Sequence, residues 1–217
     1  MLRFAEEIIL LILHDDDGKF APVPSWSMDR ALAGAVLMEL AMENRIDTDP
    51  ENLILIDSTP VGDNLLDPTL AEIAASEQHD ARYWVEQTAK KGDQLREEAL
   101  SRLVEAGILE RREDRFLWVF RSRRYPVVDG KAEREVKLRI MEVLLSDQIP
   151  DPRDVVIIAL ADACGIFREL LPKRDLEQAA ARIEQVRKLD LIGRAMAETI
   201  NDMQLWLATS RIEGRMF

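Results

Sequence analysis

Residues 27–44 read SMDRALAGAVLMELAMEN, with few polar interruptions. At 100° per residue, Met28, Leu32, Ala35, Val36, Leu37, Met38, Leu40 and Met42 cover nearly the whole circumference of a helix. Such a helix has no face to offer water and belongs in the middle of a bundle. Ser27 is placed to cap it, and Asn44 marks its end. A second stretch of this kind, Val155 to Leu160, follows Asp151-Pro152, an Asp cap with proline at the first helical position. The prediction is a mostly α protein: a single-domain helical bundle over residues 1–217 with two buried central helices and one exposed β-hairpin.

The flanking chain fits that plan. Phe4, Ile8, Leu11 and Ile12 recur at helical spacing and stop at the polar turn from Asp15 to Lys19. A loop broken by Pro22 and Pro24 then presents Trp26. Leu53 to Ile56 is a short strand-like run, and a helix is predicted to start near Pro68. Tyr83, Trp84 and Val85 sit in a further short helix that ends at Gly92. Asp93 to Ala106 reads as a helix stopped by Gly107. Ile108 to Glu110 and Arg115 to Phe120 read as a hairpin, about 108–120. Lys131 to Leu145 is helical, Pro172 opens another amphipathic helix, and a last one runs to about Ala208.

Composition removes most catalytic classes. The 217 residues hold 29 Lys+Arg against 41 Asp+Glu, a net charge of −12, which argues against a generally basic nucleic-acid binder. The single cysteine, Cys164, can form neither an internal disulfide nor a Cys-rich zinc site. The two histidines, His14 and His79, leave little for a metal centre or a triad. His14-Asp15-Asp16-Asp17-Gly18 fails as a calcium loop, because Leu13 should be acidic and Pro24 should be the closing Glu. Glycine-rich phosphate loops, nucleophile elbows and HExxH motifs do not occur. No catalytic residue, cofactor or metal is expected. The longest aliphatic run, Ile8 to Leu13, is far short of the ~20 residues of a spanning helix. It also follows Glu6 and Glu7 where a signal peptide would be basic. A soluble, cytoplasmic protein is the expectation.

Two features ask for an anion. Arg96 lies between the arc of Leu95, Ala99 and Leu103 and that of Leu100 and Val104, and a guanidinium there is costly unless an anion meets it. Either it pairs with a buried acid, for which Glu39 is a candidate, or it meets a phosphate near the helix start. The second feature is the hairpin. Arg111, Arg112, Arg115, Arg121, Arg123 and Arg124 stand against Glu113 and Asp114, while Phe116, Trp118 and Phe120 alternate between them. That pattern suits an anionic surface, or an aromatic face packed on the core with arginines paired to acidic helices.

Phe4-Ala5-Glu6-Glu7-Ile8-Ile9-Leu10-Leu11, Leu37-Met38-Glu39-Leu40-Ala41, Pro60-Val61-Gly62-Asp63-Asn64-Leu65-Leu66-Asp67 and Asp151-Pro152 follow one another along the chain. In that order they resemble the Golgi phosphoprotein 3 family, including its bacterial members. The resemblance covers nearly the whole chain, and Gly-Asp-x-Leu-Leu-Asp is its most specific element. It implies a helical domain with an exposed hairpin and no enzymatic activity. It also implies binding of phosphatidylinositol 4-phosphate or another anionic phospholipid headgroup, and an adaptor role toward protein clients at the cytoplasmic face of a membrane. Trp26 resembles the family's headgroup tryptophan, and Arg96 matches one arginine of the helix before the hairpin. The family's other basic positions fall on Ala33 and Asp93, and Arg30 and Lys90 each sit one turn N-terminal to these.

Three functions follow. The first is a non-enzymatic peripheral membrane adaptor using Trp26, Arg96, Arg30 and Lys90. The second is a protein-interaction module that self-associates through Arg111, Arg112, Arg115, Phe116 and Trp118. The third is a winged-helix nucleic-acid binder, suggested by Asp93 to Phe120 alone. Phosphates would be repelled by Asp93, Glu97, Glu98 and Glu105 on its recognition helix, so no nucleic-acid partner is expected.

Overall fold

Helix α2 (Ser25–Met42) is buried without a break from Ala31 to Ala41, as its all-round apolar sequence requires. This computed structural model describes residues 1–14, 18–49, 51–116 and 120–189, with side chains outside 113–123. Around α2 stand α1 (Phe4–Ile12), α3 (Asp67–Ala75), α4 (Ala81–Ala89), α5 (Gly92–Glu105), α6 (Gly130–Leu145), α7 (Pro152–Ala163), α8 (Ile166–Leu170) and α9 (Lys173–Arg187). Two antiparallel ribbons complete the described part: β1 (Ile46–Thr48) with β2 (Leu53–Leu55), and β3 (Arg112–Phe116) with β4 (Phe120–Arg124). None of the described helices is long and apolar enough to cross a membrane.

Several expectations about the helices shift. α7 is buried as anticipated, from Asp154 to Ala161, and Asp151 caps it by accepting the Arg153 N–H at 2.9 Å. α1 proves equally central, with all nine residues buried and α2, α5, α6 and α7 packed against it. Its periodicity is that of a one-sided helix because Glu6 and Glu7 interrupt the apolar run, yet both glutamates are interior. Ser27 is not the cap of α2. Pro24 holds that position, and the Ser27 hydroxyl donates to the Cys164 carbonyl where α7 ends. A buried hydroxyl is thereby satisfied and the two core helices are tied together. The final helix expected to reach Ala208 lies outside the described residues.

Five of the interior acids are met by four arginines, and Glu133 is met by Lys137. Glu6 accepts from the Arg3 backbone N–H at 2.6 Å and from Arg102 Nε at 3.0 Å. Glu7 accepts from Arg139 Nη2 at 2.7 Å, and Arg139 also donates to Asp154. Glu39 accepts from the Phe4 N–H at 2.7 Å, from Arg153 Nη1 at 2.9 Å and from Arg3 Nη1 at 3.3 Å. Burial pushes the Glu7 and Asp154 carboxyls above their ordinary range, against the pull of Arg139.

The Gly-Asp-x-Leu-Leu-Asp element owes its residue types to this network. Gly62 has φ +82°, a conformation other residues avoid. The Asp67 carboxylate then gathers the N–H groups of Val61, Gly62 and Asp63 at 2.7, 2.9 and 3.0 Å. Asp63 accepts from the Leu65 N–H, Arg102 Nη1 and Arg3 Nε, each at 2.9 Å. Leu65 and Leu66 enter the core.

The hairpin begins and ends four residues later than expected. Ile108 to Glu110 is not one of its strands: Leu109 bridges to Val127, and the Glu110 N–H donates to the Pro126 carbonyl at 2.9 Å. Phe116 and Phe120 do not alternate along a single strand but are cross-strand partners on two antiparallel strands. Trp118 lies outside the described residues. Aromatic residues spaced by two give the same sequence pattern on one strand as on two facing strands, so the alternation alone does not separate the two arrangements. At its base the hairpin is held by the Tyr125 N–H donating to the Gly18 carbonyl at 2.9 Å.

Asp63 offers a test of the network. Burial pushes its carboxyl up, but the Leu65 N–H and the Arg3 and Arg102 guanidinium groups outweigh burial and hold its pKa below the ordinary aspartate value. A depressed carboxyl contributes stability that is complete above the unfolded value of about 3.9 and is lost as pH falls through the lower folded value. Asp63→Asn is expected to cost about 2 kcal/mol at pH 7, less than for a fully buried pair because both arginines are partly exposed. In melting curves across a pH series, the gap to wild type should persist at about pH 4 and close only below it. A gap that closes between about pH 6 and 5 contradicts the assignment.

Candidate functional site

The starts of α2 and α5 meet at one end of the bundle. Trp26 lies in the first turn of α2, half-buried, with Arg30 one turn further on. The Arg30 guanidinium stands 5.9 Å from the centre of the indole, and its Nη1 donates to the Trp26 carbonyl at 3.0 Å. A cation over an indole face is attracted by the ring quadrupole.

Between Trp26 and Arg30, Asp29 points across to α5. Its carboxylate packs on Gly92, the first residue of that helix, so closely that a Cβ there would lie 2.2 Å from Asp29 Oδ1. Arg96, one turn into α5, brings its Nη2 to 3.6 Å from the same oxygen. That separation is an ion pair without a hydrogen bond, and Oδ1 is buried with no hydrogen-bond partner. Burial raises the Asp29 carboxyl above its ordinary range and Asp93 adds to this, while Arg96 and Arg30 pull the other way.

Arg96 therefore does have an internal acid, but it is Asp29 and not Glu39, which belongs to Arg3 and Arg153. The pair is open to water, with side-chain exposures of 29% for Arg96 and 27% for Asp29. Arg96 also borders a cleft of about 100 Å³ walled by Ile9, Ile12, Phe20, Val23 and Met28. This is below the roughly 300 Å³ at which enclosed small-molecule sites begin.

The other candidate residues are less convergent. Lys90 is exposed at the end of α4 and its Nζ donates to Gln87 Oε1 at 2.9 Å. Ala33 is fully buried and Asp93 exposed. In the hairpin region, Arg111 reaches Glu97 of α5 at 3.9 Å and Arg112 pairs with Glu110 at 2.8 Å. The register sets Arg112 opposite Arg124 and Arg115 opposite Arg121, and like charges directly opposite destabilise a ribbon. The side chains of Arg115 and Phe116 lie outside the described part. Cys164 is buried and its thiol is pushed up by burial, the state of a small core residue. Among the described residues, no three His, Cys, Asp or Glu are grouped as a metal site.

Asp29 and Gly92 were missed in the sequence. Gly92 reads there as a helix stop, whereas it is the close-approach point between two helices. The available signal was Asp29 itself, an acid three residues after a tryptophan at the head of an apolar helix.

A mostly helical domain that carries an antiparallel hairpin, with a tryptophan and arginines gathered where two helices begin, is the class defined by these features. The sequence pattern described as Golgi phosphoprotein 3 (GPP34) matches residues 4–203, and the chain belongs to that family. It is also similar to vacuolar protein sorting-associated protein 74 of Eremothecium gossypii, with 26% identity over 212 residues. The match covers 82% of this chain and 63% of that relative, so the chain spans less than two thirds of the relative's length.

The α2–α5 contact yields a stability prediction. Gly92→Ala places a methyl group within 2.6 Å of Asp29 Cβ as well as against the carboxylate, so rotating Asp29 away does not relieve the clash. The substitution is expected to cost about 2 kcal/mol in urea unfolding. Asp29→Ala in the same chain should recover only part of this. A Gly92→Ala protein as stable as wild type would rule out the close approach.

Proposed function

We propose that this protein is a non-enzymatic, adaptor-type member of its family that works as a peripheral protein at the cytoplasmic face of a membrane. In this reading it meets an anionic phospholipid headgroup, phosphatidylinositol 4-phosphate by family resemblance, at the junction of α2 and α5. The observation that carries the reading is the convergence of Trp26, Arg30 and Arg96 on one half-buried, water-accessible corner. The tryptophan offers an amphipathic body for the interface, and the two guanidinium groups offer donors for phosphate. Lys90 adds positive charge two residues before α5 begins. Each cation near an anionic surface contributes about 1 kcal/mol, and stable attachment takes more than one such signal. The hairpin is the second contact surface. Its register sets Arg112 opposite Arg124 and Arg115 opposite Arg121, with Glu113 opposite Arg123, and that excess of arginine suits an acidic partner, whether a client protein or a second copy of the chain. Nucleic acid is a poorer fit, since Asp93, Glu97 and Glu105 are exposed on α5.

Co-sedimentation with phosphatidylcholine vesicles, with and without phosphatidylinositol 4-phosphate, tests the reading. Recovery should rise with the phosphoinositide, and Arg96→Ala should lower it about five-fold, the effect of one cation at such a surface. Trp26→Ala should act in the same direction. Equal recovery on both kinds of vesicle overturns the lipid function.

A further inference from the structure

The position next to Arg96 already holds an anion. The first turn of α5 has backbone N–H groups without helical partners and a partial positive charge, as at any helix start, and Arg96 adds a full one. Asp29 stands against that turn with no side chain between them, because residue 92 is glycine. Its Oδ1 is buried yet makes no hydrogen bond, and Arg96 stops at 3.6 Å. Close by, Arg30 Nε is also buried and unpartnered. Asp29 is thus charge-paired but incompletely hydrogen-bonded, a costly arrangement for a buried polar atom.

We propose that Asp29 is a resident competitor at this corner: its carboxylate occupies the anion position, and a phosphate monoester is held only by displacing it from Arg96 and the start of α5. This rests on the headgroup reading above and adds the residue that sets its threshold. A tethered carboxylate is a single negative charge with two oxygens. An anion that displaces it must offer more, and a doubly charged monoester with three terminal oxygens does so by bringing further acceptors to Arg96, Arg30 and the free amides. A phosphodiester carries a single charge and brings no such surplus. The loose 3.6 Å contact lowers the cost of displacement.

The test compares wild type, Asp29→Asn, Asp29→Asn with Arg96→Ala, and Asp93→Asn. Each is measured on phosphatidylcholine vesicles with and without phosphatidylinositol 4-phosphate and by calorimetric titration with inorganic phosphate. Melting curves accompany each variant, and Asp29→Ala serves if the asparagine variant does not fold. Asp29→Asn is expected to raise retention on phosphoinositide vesicles roughly five-fold, and Arg96→Ala to abolish the gain. Asp93→Asn removes one negative charge beside the site without vacating the anion position, and should give a much smaller rise. Equal gains from the two asparagine variants mean a general charge effect and overturn the proposal. Wild-type binding that needs Arg96 but is unchanged or weakened by Asp29→Asn also overturns it and leaves the headgroup reading standing. If Asp29→Asn gains affinity for inorganic phosphate while no variant distinguishes the vesicles, the competitor role holds and the membrane function falls. If no variant binds either probe, both fall.

Discussion

Five of the interior carboxylates, those of Glu6, Glu7, Glu39, Asp63 and Asp154, are neutralised by Arg3, Arg102, Arg139 and Arg153, and the other helices are arranged around that set. Ions taken out of water are costly unless every one finds an oppositely charged partner with good hydrogen-bond geometry. The partners here come from α1, α2, α5, α6, α7 and the 61–67 turn, so the cost is met only when all of these stand in one relative arrangement. Apolar packing alone is tolerant of sliding, and a set of buried ion pairs is not. Arg153 shows the two kinds of interaction on one side chain: its guanidinium lies 4.1 Å from the Phe4 ring centre, while Nη2 donates to the Leu2 carbonyl at 2.8 Å.

This network also positions the candidate site from a distance. α2 contributes Glu39 in its second half and carries Trp26, Asp29 and Arg30 at its start. α5 contributes Arg102 near its end and carries Gly92 and Arg96 at its start. The same two helices are therefore pinned at one end by ion pairs and interlocked at the other by the Asp29–Gly92 contact. Six residues of helix, about 9 Å, separate Arg96 from Arg102. Both arginines are partly exposed, but Arg102 meets the buried acids Glu6 and Asp63 whereas Arg96 meets the half-buried Asp29, a division of labour along a single helix.

The hairpin follows different physics. It is a ribbon of two strands without a sheet to join, and it is anchored through its base to Gly18 and through Arg111 to α5. Its cross-strand arginine pairs contribute no stability of their own. A segment with strong positive charge and little internal support is suited to contact with something else, whereas the core helices are suited only to each other.

How much of this could be read in advance follows from the range of each interaction. The all-round apolar α2, the Asp151-Pro152 start of α7, the Gly107 stop after α5 and the bounds of α1 depend on neighbours a few residues away, and they were legible. Trp26 and Arg96 could be singled out because an aromatic at a helix head and a guanidinium on an apolar face are conspicuous locally. Their neighbours could not: Asp29 meets Gly92 across 63 residues of chain, and Glu6 meets Arg102 across 96. An acid among apolar residues announces that it needs a cation without saying which one, so Glu39 was as good a guess for Arg96 as Asp29. The hairpin register failed for a related reason, since Phe116 and Phe120 keep the same alternation whether they share one strand or face each other from two. By itself the sequence determined most of the helical segments and the burial of α2 and α7, because periodicity and capping are local, while the full burial of α1 depended on the arginines that meet its glutamates. Only the tertiary structure decided which acid faces which arginine, because a charge chooses its partner by distance in space, and that distance exists only once the chain has closed on itself.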